Sequence, residues 1–105
     1  MEIVFHTHHA PASENMRRRA ELALRKAARK APRAVDAVIR FEQDGPTRSV
    51  ELVLHIATGR RYVARAEARY FGTALAEASR RLGVQLDHTK RTPRARARRR
   101  ARGVV

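Results

Sequence analysis

The chain has 105 residues, enough for one small domain with a single compact core. It carries 24 basic residues against 10 acidic ones, a net charge of +14, and no cysteine, which excludes both a disulfide framework and a thiolate metal site. No apolar run approaches the roughly 18–20 residues that span a bilayer, and the polar stretch after Met1-Glu2-Ile3 lacks a secretory signal, so a soluble protein of a reducing cytoplasm is expected. Arginine makes up 21 of the 24 bases, and Ala is abundant. That pairing also follows from GC-rich coding sequence, so the sign of the charge carries the inference and the choice of Arg over Lys does not. A surplus of this size describes what a protein attracts, nucleic acid or another polyanion, and not how it folds.

Ile3, Phe5 and Thr7 alternate with Val4 and His6 and predict a short first strand. Ser13 is placed to cap a helix with Glu14 in its first turn, and Met16, Ala20, Leu24, Ala27 and Ala31 recur at helical spacing up to Pro32. The other sides of this helix carry Arg17, Arg18, Arg19, Arg25, Lys26, Arg29 and Lys30 against two acids, Glu14 and Glu21, with Arg18, Arg25 and Arg29 along a single face.

Three strand patterns follow. Val35, Ala37, Ile39 and Phe41 form one apolar face, then Val50, Leu52, Leu54 and Ile56, then Tyr62, Ala64, Ala66 and Ala68. Asp44-Gly45-Pro46 and Thr58-Gly59 supply the turns between them. Phe71, Leu75, Ala78, Leu82 and Leu86 predict a second helix, with Gly83 inside it at a cost of about 1 kcal/mol relative to Ala. From Arg91 the pattern stops. The last fifteen residues hold seven arginines and no acid, broken by Pro93 and Gly103, and read as a disordered basic arm. Residues 1–90 alone hold 17 bases and 10 acids, so the folded part is basic as well.

The order β-α-β-β-β-α predicts a two-layer α/β (α+β) sandwich, a four-stranded sheet with both helices on one face, over residues 1–90. The basic arm occupies residues 91–105. The residues expected to meet RNA phosphates are Arg17, Arg18, Arg25, Lys26, Arg29 and Lys30 of the first helix. Arg80, Arg81, Lys90 and Arg91 near the end of the second helix join them, with Arg94 and Arg96 in the arm.

This order and spacing resemble the ribosome hibernation-promoting factor / ribosome-associated translation inhibitor family over residues 1–91. The resemblance rests on the opening Met1-Glu2-Ile3, the spacing of Met16, Ala20, Leu24 and Ala27, and Thr73-Ala74-Leu75 at the start of the second helix. It continues through Arg81-Leu82-Gly83-Val84-Gln85-Leu86, with a base at Lys90. Where the family has an Asp-x-Tyr triplet this chain has Tyr70-Phe71-Gly72, and Val84 and Asp87 stand where the family has bases. The resemblance implies a factor that docks in the decoding channel of the small ribosomal subunit, against 16S-type rRNA and ribosomal proteins. There it would block messenger and transfer RNA and hold the ribosome idle under stress or in stationary phase. The chain ends where longer relatives carry a second, dimerising domain, so the part that pairs two ribosomes directly is not expected here, and a monomer is expected.

Other classes fit less well. A general double-stranded RNA or DNA binder is the alternative, but it lacks a place for the extra first strand and expects a Lys cluster opening the second helix. An assembly module whose tail docks on an acidic protein is a third reading. His6, His8 and His9 have no further ligand at metal spacing, so neither a metal nor a cofactor is expected. Tyr70 is the one aromatic placed to stack on a base. No nucleophile-base pair or phosphate-cradling glycine loop can be assembled, and no enzyme or small-molecule substrate is expected.

Overall fold

The computed structural model describes residues 1–9, 12–31 and 33–104, with side chains described as far as His88. Six elements follow in order: β1 (Glu2–His8), α1 (Glu14–Ala28), β2 (Ala34–Asp44), β3 (Thr47–Ile56), β4 (Arg61–Ala68) and α2 (Phe71–Val104). The β-α-β-β-β-α order and the four-stranded sheet agree with the sequence reading. The expected boundary after residue 90 and the arm beyond it, with Lys90, Arg91, Arg94 and Arg96, lie outside the residues whose side chains are described.

The sheet order is β1-β2-β3-β4. β1 pairs parallel to β2, while β2-β3 and β3-β4 are antiparallel. The mixture follows from connectivity, because tight turns reverse the chain between β2, β3 and β4, whereas α1 returns it between β1 and β2. Gly45 and Gly59 take φ of 59° and 91° in those turns, a region that favours glycine.

One face of the sheet contributes Ala37, Ile39, Phe41, Val50, Leu52, Leu54, Ala64 and Ala66 to the core, all buried. Ala20, Leu24 and Ala27 of α1 and Ala74, Leu75, Ala78, Leu82 and Leu86 of α2 close over them in one cluster. α2 lies on β3 and β4, α1 reaches β2, and the two helices pack side by side. The alanines keep the helices near the sheet, and Ser13 caps α1 by accepting the Met16 N–H at 3.1 Å. Val35 departs from its expected place in the core face. It is 50% exposed, because the β2-β3 register shifts between Ala34 and Asp36 and turns it outward.

Candidate nucleic-acid interface

The exposed cations of α1 fall into two rows. Arg18, Leu22, Arg25 and Arg29 are spaced i, i+4, i+7, i+11 and form an outer ridge, with Leu22 left 64% exposed among the arginines. Arg19, Ala23, Lys26 and Lys30 share the same spacing one residue on, and this row turns toward α2. Together with Ala27 they form one wall of a groove of about 450 Å³, whose other wall is Gly72, Leu75, Ala76, Ser79, Arg80 and Gly83.

The groove is open because α2 offers almost no bulk there. Gly72, Ala76, Ser79 and Gly83 repeat at i, i+4, i+7, i+11, a stripe of small residues along the α1 side of the helix. A Cβ at Gly72 would sit 3.5 Å from a guanidinium nitrogen of Arg19, and one at Gly83 would sit 3.9 Å from Lys30 Nζ. The glycines therefore give the α1 cations room to lie across the groove. The Ser79 hydroxyl is buried within this wall without a hydrogen-bond partner among the described residues.

Ion pairing sorts the cations further. Arg18 pairs with Glu14 at 3.8 Å, Arg25 with Glu21 at 2.9 Å, and Lys30 with Asp87 at 3.3 Å. Arg17, Arg19, Lys26 and Arg29 have no acidic partner among the described residues, so their charge is uncompensated. Glu77 holds two arginines at once. Arg80 donates to it at 2.6 and 3.1 Å and Arg81 at 3.1 Å. The Arg80 hydrogen bonds, opposed by desolvation and reinforced by both arginine charges, lower the Glu77 pKa from 4.5 to about 2.

Arg81 has a different task from its neighbour. Its Nη1 donates to the Arg65 carbonyl at 2.6 Å, and Gln85 donates to the Val63 carbonyl at 2.8 Å, so α2 covers main-chain acceptors of β4. Phe71 packs edge-on against Phe41, with ring centroids 5.5 Å apart, and the Arg48 guanidinium lies 5.8 Å from its centre. In the triplet Tyr70-Phe71-Gly72, then, Phe71 anchors the start of α2, Gly72 admits Arg19, and Tyr70 stays 66% exposed.

Of the expected contact residues, Lys26, Lys30 and Arg80 meet in the groove. Arg18, Arg25 and Arg29 share the outer ridge, Arg17 stands exposed beside it, and Arg81 is tied to the sheet. Arg19, which sequence reasoning does not place among the contact residues, lies on the groove wall. Its signal is the spacing of Arg19, Lys26 and Lys30 with small residues between them. Among the described residues no group of three His, Cys, Asp or Glu side chains could hold a metal ion, and no helix is long and apolar enough to cross a membrane.

Two solved structures share this fold. A ribosomal subunit interface protein from Coxiella burnetii superposes with a TM-score of 0.75 at 20% identity, over 86% of this chain and 98% of that one. The N-terminal domain of Protein Y from Thermus thermophilus superposes with a TM-score of 0.73 at 18% identity, over 85% of this chain and 99% of that one. No family model matches the chain, and no curated protein matches it in sequence.

Proposed function

We propose that the chain is a ribosome-associated factor that binds rRNA phosphates through its helical layer. The observation that carries this reading is the groove lined by Arg19, Lys26, Lys30 and Arg80, on a fold shared with a ribosomal subunit interface protein. Cations on two neighbouring helices can meet phosphates on both sides, and Arg binds phosphate bidentately. Structured RNA is recognised mainly through shape, phosphates and 2′-hydroxyls, which suits a rigid basic wedge with few exposed aromatics. In the finer reading the partner is the small subunit, and the domain sits in its decoding channel. Messenger and transfer RNA are then excluded and the ribosome is held in hibernation. Resemblance to the hibernation-promoting family supports that placement. Lys90, Arg91, Arg94 and Arg96 add phosphate contacts from the C-terminal stretch in the same reading.

Sedimentation through sucrose gradients tests it. Tagged protein in stationary-phase lysate is expected to travel with the small subunit or whole ribosomes at low salt. The double variant R19A/K26A, which alters exposed side chains only, is expected to shift most of the protein to the top while keeping its circular dichroism. Wild-type protein remaining at the top at low salt would end the ribosomal reading. Binding equally well to any RNA duplex would favour a general double-stranded RNA binder.

A further inference from the structure

The face of the sheet turned away from the helices is organised by register. Val4, Val38, Val53 and Val63 are successive partners across β1, β2, β3 and β4, so four valines cross the whole sheet in a line. Val4 and Val63 at its two ends remain 40% and 38% exposed. The same alternation puts Glu2, Asp36, Glu42, Asp44, Glu51 and Glu67 on this face, six of the ten acids in the chain.

Seven of the ten acids are paired within the molecule: Glu14, Glu21, Asp36, Glu51, Glu67, Glu77 and Asp87. The three without a partner among the described residues are Glu2, Glu42 and Asp44, and all three lie on the valine face. The face also carries Arg40, Arg61 and Arg65, and it is the one that holds carboxylates outside any ion pair. Phosphate and anionic lipid are repelled by them.

We infer that this face docks a basic protein segment, which lays apolar side chains against Val4 and Val38 and sets Lys or Arg against Glu2 on one side and Glu42 and Asp44 on the other. At ~3.3 Å of rise per residue, Glu2 lies about 7 Å from the line and Glu42 about 13 Å beyond it, which fixes the spacing of the partner's cations. The contact is small and gains from an anchor elsewhere, because binding through the helices raises the effective concentration of a neighbouring protein. The inference rests on the ribosomal reading only for where the partner is sought.

Photocrosslinking of the full chain on purified ribosomes tests it, with benzoylphenylalanine in place of Val4 in one protein and of Leu22 in another. The expected result is a position-4 crosslink to protein, mapped by mass spectrometry to a peptide with Lys or Arg flanking apolar residues, and a position-22 crosslink to rRNA. Reversal of charge in E42K/D44K, and separately in E2K, is expected to cut the position-4 yield about tenfold while the position-22 yield holds. Unchanged thermal unfolding confirms that each variant folds. A position-4 crosslink to rRNA, to a second copy, or to nothing, with the position-22 crosslink present, overturns the inference and leaves the RNA reading standing. So does a yield indifferent to charge reversal. The charge-sensitive protein crosslink without any at position 22 does the reverse, and silence at both positions overturns both.

Discussion

Glu77 decides what two of the helix-two arginines can do. It draws Arg80 and Arg81 toward one carboxylate, leaving Arg80 on the groove wall and freeing one edge of Arg81 for the Arg65 carbonyl. The sign of its pH dependence follows from its lowered pKa. A carboxylate held to about 2, from 4.5, contributes stability that is fully present above the unfolded value and is lost as the pH falls through the folded one. Carbon-detected NMR titration is expected to show the Glu77 carboxylate ionised at about pH 3.5, where an ordinary Glu is mostly protonated. A midpoint near 4.5 would mean that the arginine pair does not persist in solution. The roles of these two arginines were not legible in sequence, because Arg80 and Arg81 are adjacent, alike in chemistry, and separated only by which wall of α2 each one leaves.

At the scale of elements, the interhelical groove depends on what α2 lacks. Gly83→Ala is expected to stabilise the domain by up to about 1 kcal/mol through helix propensity. For a domain of this size that raises Tm by about 4–8 °C, since the new methyl meets Lys30 Nζ only at ordinary contact distance. The same methyl narrows the groove, so ribosome co-sedimentation is expected to weaken at a salt concentration where wild type still binds. Thermal unfolding and gradients on one preparation check both halves. Gain of stability without loss of binding would show that the small stripe serves packing alone. Strands and helices were readable from periods of 2 and 3.6, since each buries one face against a single core. The parallel direction of β1 and the outward turn of Val35 were not, because the first depends on the crossover and the second on a register shift set by the neighbouring strand. The groove was half legible. The cations of α1 and the glycine of α2 were visible separately, and only packing side by side makes them one feature.

Across the whole molecule, the unpaired acids gather on one face. Arg17, Arg19, Lys26 and Arg29, which have no acidic partner among the described residues, belong to the helical layer, while the unpaired acids Glu2, Glu42 and Asp44 belong to the opposite face of the sheet, which Arg61 also shares. Such a molecule orients before it touches, its field turning the helices toward a polyanion. Total charge was plain in the composition, but its polarity was not, because the acids of β1 and β2 come to one side only through strand pairing. The arginines after residue 90 extend the basic side in sequence. Truncation after Lys90 is expected to lower ribosome affinity and to flatten its dependence on the logarithm of salt concentration, by about 0.7–0.9 for each phosphate no longer neutralised. Filter binding across a salt series measures this, and an unchanged slope would remove the C-terminal arginines from the interface.

The reach of Arg81 and Gln85 onto β4 has a consequence for self-association. β1 and β4 are the outer strands, and an outer strand with free main-chain groups is a template on which other chains can polymerise. With the carbonyls of Val63 and Arg65 already engaged, a stranger approaching β4 must first dislodge two side chains of α2. The helix that also builds the groove thus guards the middle of one flank of the sheet, and at the other flank resistance to fibril growth falls to the short, histidine-bearing β1.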